Sequence, residues 1–277
     1  MPAYPDHFGK DAAELRDKRL WLFDMDGTIY EENDIFDGTL DLLDTIESQG
    51  GRYVFVTNNS SKSVDDYVAK VRAMGIRADA DTFYTSVNAT VRHLGMNHPG
   101  ELVYVQGTES LVRQLVDAGI RVTTEVDPDA SVVLIGFDTE LTMEKLRRTC
   151  KNLLRDDVTY LATNPDLVCP TSWGFEPDCG SMAYGIYNAT GKRPFVIGKP
   201  EPVMVDCVRD QLGYSAEETV LVGDRLYTDI ATGVNAGVAT ICVLTGEATL
   251  DDIAASEVQP TYVIDGVRQI NDLLLAD

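Results

Sequence analysis

Short apolar runs that end abruptly in polar side chains alternate with segments of helical patterning along this chain, and that alternation is the strongest constraint on its fold. The run at Trp21–Phe23 stops at Asp24 and Asp26, followed by Gly27 and Thr28. The run at Arg52–Val56 stops at Thr57, Asn58 and Asn59; Val196 to Gly198 leads to Lys199; and Thr219–Val222 leads to Asp224, with Asp229 five residues further on. Alternating strands and helices imply a mainly parallel sheet. Polar groups gathered where such strands end lie where open parallel α/β sheets bind ligands.

The Asp24–Thr28 segment is hard to explain as packing. Alternate residues of a strand point to opposite sides, but a turn beginning at Gly27 is expected to bring Asp26 back beside Asp24. Two crowded carboxylates repel each other and raise one pKa unless a cation lies between them, so the motif asks for a divalent metal. Each segment also has a purely structural reading. Asp and Gly are ordinary turn residues. Ser63 followed by Asp66 suits a helix start after Thr57–Ser60, Lys199 reads as a solvated loop cation, and Asp224 and Asp229 read as caps of a helix beginning near Thr228. Against these stands their joint occurrence, since four strand ends in order carry groups suited to one phosphate and one metal.

Helices are expected from about Gly38 to Gln49, from Val64 to Met74 ahead of Gly75, and after Pro202 as far as Gly213. Strands are expected near Phe83–Ser86, at Thr219–Val222 and at Ala239–Leu244, making five core strands. A final strand at Thr261–Ile264 and a helix at Val267–Leu275 close the chain. Roughly a hundred residues between the second and third motifs carry their own signals. Leu102–Val105, Ser131–Gly136 and Thr159–Ala162 read as strands, and Glu109–Ala118 and Thr142–Leu154 as helices. This pattern marks an inserted domain, and the expected division is a core at 1–88 and 191–277 with the insertion at 89–190.

A chain of 277 residues with 44% hydrophobic content can bury a sizeable core. It has 23 Lys and Arg against 45 Asp and Glu, a net charge of −22. A nucleic-acid binder needs clustered basic residues, so that class is excluded. The start has no apolar signal core and no stretch is long and apolar enough to span a bilayer. Five cysteines without Cys-x-x-Cys spacing suggest neither a disulfide framework nor a zinc site. A cytoplasmic protein is expected, free of membrane partners, with a homo-oligomer left open.

The four segments, in this order, resemble the haloacid dehalogenase-like superfamily of aspartate-nucleophile phosphatases. The match extends over nearly the whole chain and is most specific at Asp24–Thr28 and Thr219–Asp229. It is closest to the subfamily of p-nitrophenyl, phosphoglycolate and pyridoxal phosphatases. The resemblance implies an α/β fold, with a Rossmann-like parallel-sheet core and a large α/β cap inserted after the third core strand. It also implies that Asp24 attacks phosphorus and that Asp26 serves as acid and then base. Mg²⁺ would be held by the Asp24 and Asp224 carboxylates and the Asp26 main-chain carbonyl. Thr57, the N–H groups of Asn58 and Asn59, and Lys199 would hold the phosphoryl oxygens, while Asp229 would orient either a metal-bound water or Lys199. In the cap, Asn164 and Asp166 would face the site and read the substrate.

The expected activity is Mg²⁺-dependent hydrolysis of a small phosphorylated metabolite. No Lys or Arg lies between Thr163 and Ser181, which favours a neutral sugar or polyol phosphate over a carboxylate-bearing one. Trp173 or Phe175 could stack on a pyridoxal ring, so pyridoxal phosphate stays open, as does phosphoglycolate. Phosphoryl transfer to another alcohol is a same-fold competitor, and a non-catalytic phosphometabolite sensor is the alternative of another class.

Overall fold

A computed structural model describes residues 5–171 and 173–276. Ser172, inside the segment expected to read the substrate, lies outside the described residues, as do residues 1–4 and Asp277. The chain divides into two compact units, one comprising Met1–Thr57, Val68–Tyr84 and Lys199–Asp277, the other Asn58–Tyr67 and Thr85–Gly198. Among the described residues, no helix is long and apolar enough to cross a membrane.

The first unit is built on a six-stranded sheet in the order Tyr262–Ile264, Ala239–Val243, Thr219–Gly223, Leu20–Phe23, Arg52–Thr57, Phe83–Thr85. The Leu20–Phe23 strand is central and runs parallel to both neighbours. Its four side chains are all buried, as are Val220, Leu221 and Val222 beside it. Burial on both faces is what a parallel sheet covered by helices requires, and it explains why these strands read as continuous apolar runs. Register then sets the functional edge. Phe23 lies opposite both Val222 and Phe55, so Asp24, Asp224 and Thr57 leave the sheet within a residue or two of one another. The Asp24 N–H continues the ladder by donating to the Val222 carbonyl at 2.9 Å.

Helices Thr39–Ser48, Val203–Leu212 and Val267–Leu275 bury apolar stripes that include Leu42 and Ile46, Met204 and Val208, and Ile270 and Leu274. Their ends fall within a residue or two of the expected ones. Gly38, just before the first of these helices, has φ of 86°.

The second unit carries a five-stranded parallel sheet ordered Phe195–Val196, Thr159–Ala162, Ala130–Ile135, Leu102–Gln106, Arg121–Thr123. Three of these strands were legible in the sequence. The run leading to Lys199 belongs here, where Phe195 pairs with Leu161 and Val196 with Ala162, and not to the core sheet. Two apolar residues carry no information about which sheet they extend, so only pairing decides it. Helices Ser86–Asn97 and Cys179–Thr190 and the hairpin of Val168–Thr171 with Gly174–Pro177 were not anticipated. The Cys179–Thr190 helix contains Gly180 and Gly185, which lower intrinsic helicity. It is held by burying Met182 and Ile186 against Tyr104, Val133 and Leu153.

Thr108 links the loop after Thr57 to this unit. Its hydroxyl accepts from the Leu111 N–H at the start of helix Glu109–Asp117 and donates to the Ser61 carbonyl, both at 3.2 Å. Thr108→Val keeps the shape and removes both bonds, and is expected to cost about 1–2 kcal/mol. Urea unfolding followed by circular dichroism measures this, and an unchanged midpoint would show that the cap does not contribute.

Candidate active site

The turn after Phe23 is fixed by its own backbone. Thr28 and Ile29 N–H groups donate to the Met25 carbonyl at 3.1 and 2.9 Å, and the Gly27 N–H donates to the Tyr30 carbonyl at 2.9 Å. Gly27 has φ of 82°, and a Cβ there would lie 2.6 Å from Asp224 Oδ2. Glycine is therefore needed both for the left-handed turn and for the close approach of a carboxylate. Gly246 approaches the same carboxylate from another side, where a Cβ would lie 2.0 Å from Asp224 Oδ2. That oxygen accepts from the Glu247 N–H at 2.8 Å.

Asp24, Asp224 and Asp229 each offer a carboxylate oxygen, and these oxygens lie within 4.8 Å of one another. Lys199, itself buried, lies among them. Its Nζ donates to Asp24 Oδ1 at 2.5 Å, to Asp229 Oδ1 at 2.6 Å and to the Val56 carbonyl at 3.2 Å. Asp229 follows Asp224 through a single π-helical turn, Leu226–Ile230, and its other oxygen accepts from the Arg225 N–H at 3.2 Å. Of the two partners expected for Asp229, the contact observed is Lys199.

Three carboxylates facing one ammonium leave an excess of negative charge in a desolvated place. Burial, followed by the nearby Asp229, pushes the Asp24 carboxyl up to about 8, although Lys199 opposes the shift. Burial and then Asp229 likewise push Asp224 up to about 6. Burial alone would lower the Lys199 pKa, but Asp229 and Asp24 outweigh it and hold the ammonium well above its ordinary range. Asp224 Oδ1 is buried and has no hydrogen-bond partner among the described residues. An orphaned carboxylate oxygen within an all-oxygen, electron-rich cluster fits a hard divalent cation.

Asp26 is placed differently from the expectation. Its half-exposed carboxylate lies 3.9 Å from Lys70 Nζ, and the crowding expected between Asp24 and Asp26 occurs instead among Asp24, Asp224 and Asp229. The turn is wound by backbone bonds to Met25 and Tyr30, which direct the Asp26 side chain outward. Thr57 is buried at the end of its strand. Asn59 Oδ1 accepts from the Ser61 N–H and hydroxyl, each at 2.8 Å.

Within the second unit, Asn164 and Asp166 are buried and bonded to other side chains. Asp166 Oδ2 accepts from Asn58 Nδ2 at 2.7 Å and from Asn164 Nδ2 at 2.9 Å, and Asn164 Nδ2 also donates to Asp178 Oδ1 at 3.0 Å. Their polar atoms tie the loop at 163–166 to Asn58 and Asp178. The exposed large apolar side chains of this region include Trp173 and Phe175 at the hairpin, together with Leu167 and Val168. Sequence reasoning missed Lys70, which reads as any helical lysine. It also missed the Gly246 and Glu247 contact, for which the glycine just beyond strand Ala239–Val243 was a usable signal.

A family model described as haloacid dehalogenase-like hydrolase matches residues 21–121, and a second, HAD-hydrolase-like, matches residues 196–270. The acid sugar phosphatase of Staphylococcus epidermidis is 36% identical over 248 residues, which cover 90% of this chain and 95% of that protein. The chain belongs to the haloacid dehalogenase-like hydrolases. It is a phosphoric monoester hydrolase of that family, with a Rossmann-like core and an inserted cap. A 4-nitrophenylphosphatase from Thermotoga maritima superposes with a TM-score of 0.89 at 36% identity, covering 94% of this chain and 99% of its own. A glycerol phosphate phosphatase from Mycobacterium tuberculosis, solved in complex with calcium, gives 0.86 at 29% identity, covering 93% of this chain and 76% of its own.

The electrostatics of this hydrolase site predict a stability change with pH. Folding raises the Asp24 and Asp224 pKa values from 3.8 to about 8 and about 6, so the folded state binds more protons than the unfolded one between those limits. Stability in chelator should therefore fall as pH rises from about 4 towards 8. The Lys199 contribution is constant there, because its ammonium is charged in both states. Asp224→Asn should flatten the slope. A divalent cation should stabilise the native protein more at pH 8 than at pH 5, since its ligands must be deprotonated. Denaturant unfolding at both pH values measures this, and equal slopes for wild type and Asp224→Asn would count against the charge cluster.

Proposed function

We propose that this chain is a Mg²⁺-dependent phosphomonoesterase acting on a small neutral phosphorylated metabolite, a sugar or polyol phosphate, through an aspartyl-phosphate intermediate. The observation carrying this reading is the Asp24 carboxylate bonded to Lys199 beside the orphaned Asp224 oxygen. It combines a nucleophile, a phosphoryl counter-charge and a cation site in one sheet edge. The expected division, a core at 1–88 and 191–277 with the cap at 89–190, is kept except that pairing of the Phe195–Val196 strand extends the cap to Gly198.

In the first step an Asp24 carboxylate oxygen attacks phosphorus. The bond from phosphorus to the leaving oxygen breaks, and Asp26 gives that oxygen its proton. In the second step Asp26 takes a proton from water, whose oxygen attacks the phosphoryl group and releases Asp24 and inorganic phosphate. The Thr57 hydroxyl, the N–H groups of Asn58 and Asn59, and Lys199 Nζ bind the phosphoryl oxygens, compensating charge that spreads over them in the transition state. Mg²⁺, held by the Asp24 and Asp224 carboxylates and the Asp26 carbonyl oxygen, would supply further positive charge to those oxygens. Asp229 holds Lys199 in its charged form and in place.

Two considerations support a neutral substrate. The segment from Thr163 to Ser181 has no basic side chain to receive a substrate carboxylate, and similar proteins are named acid sugar phosphatase and glycerol phosphate phosphatase. The exposed Trp173 and Phe175 rings favour pyridoxal phosphate as the second reading, because an aromatic ring can stack on them. With Asn164 and Asp166 buried in their own network, their part in specificity is to set the shape of the loop. A cytoplasmic setting suits the five cysteines, which form no disulfide among the described residues.

Asp24→Asn should eliminate turnover of p-nitrophenyl phosphate while the protein stays folded, because an amide cannot form the acyl phosphate. Chelation should abolish wild-type activity and Mg²⁺ should restore it, whereas Ca²⁺, with longer bonds and more ligands, should inhibit. Comparison of kcat/KM across sugar phosphates, glycerol phosphate, pyridoxal phosphate and phosphoglycolate tests the substrate class. A wide preference for phosphoglycolate would overturn the neutral-substrate reading, and full activity after exhaustive chelation would overturn the metal.

A further inference from the structure

Lys70 is on helix Val64–Ala73, yet its side chain is only 23% exposed, unlike a lysine on a solvated helix face. Two features of the Asp24–Tyr30 turn hold it. Its Nζ lies 3.9 Å from the centroid of the Tyr30 ring, a cation on an aromatic face. The same Nζ lies 3.9 Å from Asp26 Oδ1. Tyr30 is held in place, because it is fully buried and its carbonyl accepts the Gly27 N–H at 2.9 Å. Thr39 Oγ1 further pins the turn by donating to the Ile29 carbonyl at 3.0 Å. The ammonium is thus fixed by an immobile ring against a carboxylate whose own side chain is 51% exposed.

We propose that Lys70 is a positioning residue for proton transfer to the leaving group, holding the Asp26 carboxyl side chain in the orientation that the reaction uses. The inference rests on the acid role proposed above for Asp26. An exposed aspartate samples several rotamers, and a proton donor helps only in the one that reaches the leaving oxygen. A cation tethered to a rigid aromatic face narrows that choice. Lys70 does not touch the substrate phosphoryl group in this proposal, so its effect depends on how much the leaving oxygen needs a proton. An alkoxide needs one fully, whereas p-nitrophenolate departs with little help.

The test compares kcat/KM for glycerol phosphate and p-nitrophenyl phosphate in wild type, Lys70→Met, Lys70→Arg and Asp26→Asn, with thermal unfolding to confirm the fold. The ratio kcat/KM reports steps up to departure of the leaving group, so hydrolysis of the intermediate does not mask the effect. Lys70→Met should lower the value for glycerol phosphate by about 10-fold or more and that for p-nitrophenyl phosphate by less than about 3-fold, part of what a positioned acid contributes. Lys70→Arg, which keeps the cation, should recover much of the loss. Equal losses on both substrates, no loss, or Lys70→Arg as impaired as Lys70→Met would overturn the proposal. Asp26→Asn separates the two readings. If it also loses both activities equally, the acid role fails and takes this inference with it. If it discriminates between the substrates and Lys70→Met does not, only the role of Lys70 falls.

Discussion

The buried ammonium of Lys199 is the interaction on which the rest of the core site depends. It donates to Asp24 and Asp229 together, and without it three carboxylates would share a desolvated pocket with Arg225 as the nearby counter-charge. Even with it, burial first and then the neighbouring Asp229 push Asp24 and Asp224 up in pKa, and one oxygen of Asp224 has no hydrogen-bond partner among the described residues. A carboxylate cluster of this kind can coordinate a divalent metal. The cost of maintaining it is carried by the surrounding sheet, whose central strands are fully buried.

Parallel register converts that electrostatic requirement into geometry. Phe23, Val222 and Phe55 stand side by side, so the residues that follow them leave the sheet at one edge. Gly27 and Gly246 then remove the two Cβ atoms that would collide with Asp224. The turn after Asp24 separates two aspartates of one short motif into different environments. Asp24 is drawn into the charge cluster, while Asp26 is turned outward to Lys70. One aspartate is thereby desolvated beside other carboxylates, and the other stays half exposed beside a cation.

In the second unit, a buried network of Asn58, Asn164, Asp166 and Asp178 takes up the polar side chains of the loop at 163–166. Buried amides and carboxylates left without partners would cost more than they return, so these groups specify one loop conformation. The aromatic side chains at the adjoining hairpin, with Leu167 and Val168, are in contact with solvent.

Much of this was legible in the sequence. The Trp21–Phe23 and Thr219–Val222 runs read as strands ending in aspartates, so the α/β class followed from residue type and order, while gathering Asp24, Asp224 and Lys199 into one site rested on four such strand ends occurring together and on the family resemblance. Other features depended on long-range pairing. The Phe195–Val196 strand is too short to declare its sheet, and its pairing with Thr159–Ala162 assigns it to the inserted unit. The Cys179–Thr190 helix is stabilised by packing that outweighs its glycines. Lys70 could not be told from a surface lysine until its distance from the Tyr30 ring was known, and Asp166 could not be told from a solvent-facing carboxylate until Asn58, more than a hundred residues away in sequence, was found bonded to it. The sequence by itself determined which chemical groups stand at the strand ends, because burial and turn chemistry are local properties. Only the tertiary structure decided which of those groups face one another, because contact between distant residues is a property of packing.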